Sequence, residues 1–155
     1  MLTDRFHRAK AAVLVVDDSP EMQRYLRFLL EMDSYQVETV NTGLEALELL
    51  RTGFSPAVVL LDVHMPGIDG LETLRRLRGF WPDLKVIICS SEDDPRKTRQ
   101  AALLGAQAYL TKPVQHLYLS AAIERCLCNS AAPSAGPSAP GRLLALPRRD
   151  AAQEN

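Results

Sequence analysis

The sequence has little of what secreted, membrane-bound or nucleic-acid-binding proteins need. Its 155 residues contain three cysteines, Cys89, Cys126 and Cys128, and no apolar run approaches the roughly 20 residues that span a bilayer. The N-terminus lacks the apolar segment of a signal peptide, so the odd cysteine count favours reduced thiols. A formal charge of −1 gives no basis for a nucleic-acid or membrane surface. We therefore predict a cytoplasmic protein that binds neither nucleic acid directly nor membrane.

The composition of the chain changes near residue 129. The segment 129–141 reads NSAAPSAGPSAPG and is poor in the side chains that build a core. We predict an N-terminal extension at 1–10, one folded domain at 11–128 and a mostly disordered Ala/Pro/Ser-rich tail at 129–155. The last 14 residues, RLLALPRRDAAQEN, are too short to fold alone. We therefore expect the domain to act without an output domain attached to it.

Five short apolar runs alternate with helical patterns within residues 11–128. In chain order they are AAVLVV (11–16), QVETV (36–40), AVVLL (57–61), KVIIC (85–89) and QAYL (107–110). Runs rich in Val, Leu and Ile suit strands that are buried on both faces of a parallel sheet. The second run is more polar and alternates, which favours an edge strand.

Capping signals between these runs predict a helix after each strand. Ser19 and Asp94 each precede a proline that would occupy the first helical position. Thr42 and Asp69 each have a glutamate three residues later, the spacing of a capping box. Glycines that could end these helices stand at Gly53, Gly79 and Gly105. Five βα units predict an α/β fold, a doubly wound (βα)5 flavodoxin-like parallel sheet in which the order 2-1-3-4-5 puts the polar strand at an edge.

Charged and hydroxyl side chains follow four of the five predicted strands. They are Asp17, Asp18, Asp62, Ser90 and Lys112. In open α/β sheets, ligands bind beyond the carboxyl ends of the strands, at the switch point between strands 1 and 3. One polar residue after a strand is weak evidence for a site. The coincidence of several at one rim is much stronger.

Three carboxylates held together repel one another and need a cation, which Lys112 alone cannot replace. All the available ligands are hard oxygen atoms, which favours Mg²⁺ over a transition metal. Because Mg²⁺ in proteins is often shared with phosphate oxygens, the rim suits phosphoryl chemistry. Asp62 is the best candidate for the nucleophile, since its strand is central and a turn-rich loop follows it. Lys112 and the metal would neutralise phosphoryl oxygens, and Ser90 could hydrogen-bond another.

The blocks VLVVDDS, LLDVHMPGIDG, VIICSS and AYLTKP, in that order, resemble the response-regulator receivers of two-component signalling over residues 11–128. The resemblance implies that Asp62 accepts a phosphoryl group from a sensor histidine kinase or a histidine phosphotransfer protein. It also implies the ligands of Mg²⁺. Asp18 and Asp62 would bind the ion directly, Asp17 through water, and His64 through its backbone carbonyl.

The same resemblance implies roles for residues around the acceptor. Ser90 and Lys112 would contact the phosphoryl group, and Ser90 with Tyr109 would form the switch that responds to phosphorylation. His64 and Glu92 occupy the two variable positions that tune hydrolysis in this family. Such a protein is a signalling switch that changes its binding to an output protein. It is not an enzyme beyond catalysing its own aspartyl phosphorylation and dephosphorylation.

Helices 1 and 5 are expected to carry partner surfaces. On helix 5 we expect a core side made by Val114, Leu119, Ile123 and Cys126 and an exposed side made by Leu117, Tyr118, Ala121 and Ala122. That exposed side belongs to the helix 4–strand 5–helix 5 face, where a contiguous apolar patch suggests a homodimer or an output contact. The charged-pair dimer that some related receivers form on this face is not expected, because the entry to strand 5 reads GAQAY. Phe28 on helix 1 is expected to help dock the phosphohistidine donor.

Other functions fit the residues less well. A haloacid-dehalogenase phosphatase needs a second aspartate two residues after the nucleophile, where this chain has His64. A flavodoxin-like FMN carrier needs a hydroxyl-rich loop after strand 1, where this chain reads DDSPEM. The basic residues of helix 4, Arg96, Lys97 and Arg99, are expected to form a solvated face. The main alternative keeps the receiver and makes it part of a truncated helix-turn-helix DNA-binding transcription regulator.

Overall fold

The structure, a computed structural model, describes residues 11–128. The predicted extension at 1–10 and the predicted tail at 129–155 lie outside the described residues. Five parallel strands form one sheet in the order β2-β1-β3-β4-β5. Their bounds are β1 (Ala12–Val16), β2 (Gln36–Val40), β3 (Val58–Asp62), β4 (Lys85–Ser90) and β5 (Ala108–Thr111). The predicted fold class and strand order are confirmed, and each predicted strand bound lies within one residue of the observed one.

A helix follows each strand, and the capping pattern predicts the first four of them. The helices are α1 (Pro20–Met32), α2 (Gly43–Arg51), α3 (Gly70–Phe80), α4 (Pro95–Leu103) and α5 (His116–Cys128). The N-cap side chains of the first four accept hydrogen bonds from backbone N–H groups of their first turns; these caps are Ser19, Thr42, Asp69 and Asp94. Within the described residues, no helix combines the length and the apolar character needed to cross a membrane.

The three glycines predicted to end helices behave in two ways. Gly53 and Gly105 adopt φ values of 103° and 96° just after α2 and α4, as expected for residues that end helices. The prediction for Gly79 was wrong, because this residue lies inside α3. The backbone N–H of Trp81 still donates to the carbonyl of Leu77 at 2.7 Å, so the helical hydrogen bonds continue past the glycine.

The sheet separates two hydrophobic layers. One layer joins α1 and α5 to the sheet, and the other lies under α2, α3 and α4. Leu117 and Tyr118 on α5 are exposed, with relative accessibilities of 76% and 43%, and Phe28 on α1 is 63% exposed. Ala122 was wrongly placed on the exposed side. It is buried, because it lies one helical turn after Leu119 and shares its core-facing side.

Gly70 lets the start of α3 lie directly against the end of β3. Its N–H donates to the carbonyl of Val63 at 2.8 Å. A Cβ at this position would lie 2.2 Å from the carbonyl oxygen of Asp62 and 2.7 Å from the Cα of Val63. Both atoms are backbone, so neither can move without displacing the strand end. By contrast, a Cβ on Gly79 would meet no atom within 4 Å.

We expect Gly70→Ala and Gly79→Ala to change stability in opposite directions. Gly70→Ala should lower the free energy of unfolding by about 2–4 kcal/mol, because the backbone at Asp62 must shift. Gly79→Ala should raise it by about 0.5 kcal/mol, since alanine favours the helix and fits the open space. Urea unfolding of both variants measures the two values. Equal destabilisation by both substitutions would contradict the close approach at Gly70.

Candidate functional site

Three carboxylates meet at the carboxyl edge of the sheet, as the sequence predicts. Asp17 and Asp18 follow β1, and Asp62 is the last residue of β3, the neighbouring strand. One oxygen of each carboxylate lies within 4.8 Å of an oxygen of the other two. Asp17 and Asp62 are buried, with 2% and 5% of their surfaces exposed, whereas Asp18 faces solvent. The group therefore has two buried carboxyl groups and an open side.

Lys112 reaches this cluster from the end of β5. Its Nζ atom lies 2.8 Å from Oδ2 of Asp17 and 3.5 Å from Oδ1 of Asp62. Burial alone lowers the pKa of Lys112, but the hydrogen bond to Asp17 and the charges of both carboxylates outweigh burial and raise it. Lys112 is therefore a fixed cation beside Asp62.

Burial makes Asp62 reluctant to ionise in the protein alone. Removal from water and the charge of Asp17 raise the pKa of Asp62, and they outweigh the lowering by Lys112 and by the N–H of His64. When all three carboxylates are ionised, Lys112 leaves two negative charges uncompensated. An all-oxygen donor set with this charge and an exposed side suits a hydrated divalent cation such as Mg²⁺.

The backbone around Asp17 is held by a residue that the sequence analysis missed. The side-chain amide of Gln23 on α1 donates to the carbonyl of Asp17 at 2.6 Å and to that of Val40 at 3.2 Å. The same amide donates to Oδ1 of Asn41 at 2.7 Å. Gln23 thus fixes the ends of β1 and β2 together. Its sequence position gives no signal, because a glutamine on a helix is usually solvated.

Ser90 and Tyr109 both form hydrogen bonds with the backbone of Glu92. Ser90 is fully buried at the end of β4, and its Oγ accepts a hydrogen bond from the N–H of Glu92 at 3.1 Å. Tyr109 is 1% exposed, and its hydroxyl donates to the carbonyl of Glu92 at 3.1 Å. The predicted switch aromatic therefore lies in an inward position in this structure.

The side chain of Glu92 bridges two loops. Its Oε1 lies 3.1 Å from Nε2 of His64, and its Oε2 accepts a hydrogen bond from Nζ of Lys97 at 2.7 Å. The imidazole of His64 therefore lies at the rim and is partly exposed. Lys97 was predicted to belong to a solvated face, but it reaches back to Glu92 in the segment that precedes α4 and is only partly exposed.

Comparison with known proteins places the chain in a family. The sequence profile described as "Response regulator receiver domain" matches residues 13–124. The chain belongs to the response-regulator receiver family. In such a receiver, the acidic cluster of Asp17, Asp18 and Asp62 is typical of the phosphoacceptor site.

Curated relatives of this receiver are longer proteins. The response regulator MprA of Mycobacterium sp. (strain KMS) is 37% identical over 128 residues, which is 83% of this chain and 55% of that protein. A CpxR-homologue transcriptional regulatory protein of Haemophilus influenzae is 38% identical over 122 residues, 79% of this chain and 52% of that protein. The chain thus spans about half the length of the curated relatives it matches.

Solved receivers share the fold. A receiver-domain protein of Clostridium thermocellum has a TM-score of 0.74 and 33% identity, covering 78% of this chain and 97% of its own. TrrA of Thermotoga maritima, solved in complex with Mg(2+)-BeF, has a TM-score of 0.68 and 29% identity. That alignment covers 74% of this receiver and 97% of TrrA.

Asp62→Asn should stabilise the metal-free receiver. Because the pKa of Asp62 is higher in the folded than in the unfolded state, ionisation of this carboxyl destabilises the fold. The destabilisation is absent below the pKa of the unfolded state and fully present above the pKa of the folded state. In EDTA at pH 7 we expect the melting temperature to rise by about 2–5 °C, the shift that roughly 1 kcal/mol produces in a domain of this size.

This stabilisation should shrink as pH falls through the pKa of Asp62 and should also shrink in millimolar Mg²⁺, which favours the ionised form. Glu38→Gln is the control, because Glu38 is exposed on the edge strand β2. It should leave the melting temperature nearly unchanged. A lower melting temperature for Asp62→Asn in EDTA would show that Asp62 stabilises the metal-free fold.

Proposed function

We propose that this receiver takes a phosphoryl group onto Asp62 from the phosphohistidine of a sensor histidine kinase or a histidine phosphotransfer protein. The observation that carries the proposal is the position of Asp62. It is a buried carboxylate at the end of the central strand, with Lys112 at 3.5 Å and two further carboxylates beside it. Phosphoryl transfer needs mainly positioning and charge neutralisation, which these groups supply.

The transfer itself uses few groups of the chain. An oxygen of Asp62 forms a bond to phosphorus while the bond between phosphorus and the donor imidazole breaks, and its electron pair stays with the imidazole. Lys112 neutralises one of the phosphoryl oxygens. Ser90, at the end of β4 next to β3, donates a hydrogen bond to another. The product is an aspartyl phosphate on Asp62.

The metal of this site would be Mg²⁺. Asp18 and Asp62 would bind it directly, Asp17 through water and His64 through its backbone carbonyl. When bound, the ion supplies positive charge that neutralises phosphoryl oxygens. The donor chemistry of the cluster and its uncompensated charge support this assignment, and the related TrrA was solved with Mg(2+)-BeF.

The switch would use the hydrogen bonds around Glu92. A phosphoryl group on Asp62 would attract the hydroxyl of Ser90, which in this structure accepts from the N–H of Glu92. That movement would favour the inward position of Tyr109 by shifting a pre-existing equilibrium between the inward and outward positions of its ring. His64 and Glu92 at the rim would tune the lifetime of the phosphoryl group. The chain would thus act as a switch whose only catalysis is its own phosphorylation and dephosphorylation. Its location in the cytoplasm stays a prediction.

The output would be a change in binding through the face formed by α4, β5 and α5. Leu103, Leu117 and Tyr118 are exposed on the two helices of this face, and an apolar surface suits a homodimer or an output protein. The alternative output is a helix-turn-helix DNA-binding domain of a transcription regulator. The CpxR homologue, described as a transcriptional regulatory protein and about twice as long as the matched segment, favours that alternative.

Incubation with acetyl phosphate and Mg²⁺ should add one phosphoryl group to Asp62, detected by intact mass. Asp62→Asn should remove the modified species, because it replaces the nucleophilic oxygen. EDTA should also suppress the modification, because Asp17, Asp18 and Asp62 then repel the incoming phosphoryl group. Glu38→Gln, far from the acceptor in sequence and exposed on β2, should be modified like the unchanged protein. A modification that persists in Asp62→Asn would refute the assignment of the acceptor.

Phe28→Glu and Leu117→Glu should separate donor docking from output. Both side chains are exposed, so neither substitution should lower the melting temperature by more than about 2 °C. Phe28→Glu should slow transfer from a cognate histidine kinase roughly tenfold without slowing transfer from acetyl phosphate. Leu117→Glu should leave both transfers intact and weaken self-association, measured by sedimentation after phosphorylation, or binding of the output protein. Each variant controls for the other, and the reverse pattern would overturn both surface assignments.

A further inference from the structure

Two side chains of α1 hold backbone segments on opposite sides of that helix. Gln23 donates to the carbonyl of Asp17, and the hydroxyl of Tyr25 donates to the carbonyl of Val114 at 2.7 Å. Residues two apart on an α-helix point about 200° away from each other, so the two contacts lie on different sides of α1. One contact fixes the end of β1. The other fixes the segment that follows β5.

The segment that follows β5 carries Lys112. Val114 lies two residues after Lys112, and α5 begins at His116. The N–H of Lys112 donates to the carbonyl of Ser90 at 2.7 Å, which fixes this segment where it leaves the sheet. The hydrogen bond from Tyr25 fixes it again two residues later. The backbone that carries the Lys112 side chain is therefore held between β4 and α1.

The carbonyl of Val114 lies ahead of the helical hydrogen bonds of α5. The N–H of Leu119 donates to the carbonyl of Gln115 at 3.0 Å, whereas the carbonyl of Val114 accepts from Tyr25. Val114 is only 1% exposed, so water would replace this donor poorly. The ring of Tyr25 is 41% exposed, and its packing needs no hydroxyl. What tyrosine adds over phenylalanine at this position is the hydrogen bond.

The position of Lys112 matters because its two carboxylate contacts differ in length. Its Nζ atom lies 2.8 Å from Asp17 but 3.5 Å from Asp62, the proposed acceptor. A displacement of about 1 Å in a group that orients a reaction can slow it by roughly a hundredfold. A small shift of the segment after β5 would change the distance from the ammonium group to a phosphoryl oxygen on Asp62.

We propose that Tyr25 is a positioning residue that holds Lys112 in place for phosphoryl transfer to Asp62. The proposal rests on the proposed phosphoacceptor function. Tyr25 contacts none of the reacting atoms and acts through the backbone at Val114. The transfer itself is unchanged: an oxygen of Asp62 bonds to phosphorus, the bond from phosphorus to the donor breaks, and its electron pair leaves with the donor. Without the hydroxyl of Tyr25, Lys112 neutralises the transferred oxygens less well.

The rate of phosphorylation by acetyl phosphate in saturating Mg²⁺, followed by intact mass, tests the proposal. Tyr25→Phe removes only the hydroxyl and should lower the rate constant about threefold or more. Ser120→Ala is the matched control, because Ser120 on α5 donates to Asp33 after α1. It removes another hydrogen bond between α1 and α5 and should leave the rate constant unchanged. Each variant should lower the melting temperature by no more than about 5 °C.

A double-mutant cycle separates positioning from a purely structural role. In the Lys112→Met background, Tyr25→Phe should not lower the rate constant further, because the group that it positions is absent. An equal loss in both backgrounds would overturn the proposal. An unchanged or higher rate constant for Tyr25→Phe, or the same loss in Ser120→Ala, would also overturn it while leaving Asp62 as the acceptor.

A further measurement does not depend on phosphorylation. In NMR spectra of the protein in EDTA, the side-chain ammonium signal of Lys112 should move in Tyr25→Phe and should not move in Ser120→Ala. An unmoved signal in Tyr25→Phe would overturn the proposal, even where Lys112→Met reacts too slowly to complete the cycle. Failure of the unchanged protein to be phosphorylated would instead refute the proposed function. The ammonium signal would then still decide whether Tyr25 positions Lys112.

Discussion

Repulsion among carboxylates that are partly removed from water is the constraint on which the site of this receiver depends. Asp17 and Asp62 are buried at the ends of adjacent strands, and Asp18 lies beside them. Ionised groups lose much of their hydration there, and their mutual charge adds to the cost. Lys112 offsets part of this cost through contacts at 2.8 Å and 3.5 Å. The remaining negative charge gives the rim the character of a site that could hold a divalent cation.

The fold tolerates this cost because its backbone is held from several directions. Strands buried on both faces supply apolar contacts on either side of the sheet. Gln23 ties the ends of β1 and β2, and Gly70 lets α3 lie against the end of β3. Each of these contacts is made within a few residues of the carboxylates. The fixed strand ends therefore hold the acidic side chains together against their mutual repulsion.

Most of the fold and the centre of the site could be predicted from the sequence because they follow from short-range rules. Apolar runs and N-caps define the βα units, and parallel strands bring their carboxyl ends to one edge. The errors arose where packing decides. Gly79 stays helical because the hydrogen bond from Trp81 to Leu77 spans it, and this has no local signal. Ala122 is buried on the same side of α5 as Leu119, a helical spacing that the prediction did not use.

Contacts between loops were the least predictable part of the site. Lys97 follows Glu92 by five residues, which is no regular spacing in either a helix or a strand. The two meet across the residues that precede α4, and His64 lies near Glu92 because β3 and β4 are paired neighbours. Glu92 therefore makes two kinds of contact. The backbone of Glu92 contacts the switch residues, while its side chain contacts the acceptor loop and α4. The switch residues, the acceptor loop and α4 of this receiver therefore meet at one residue.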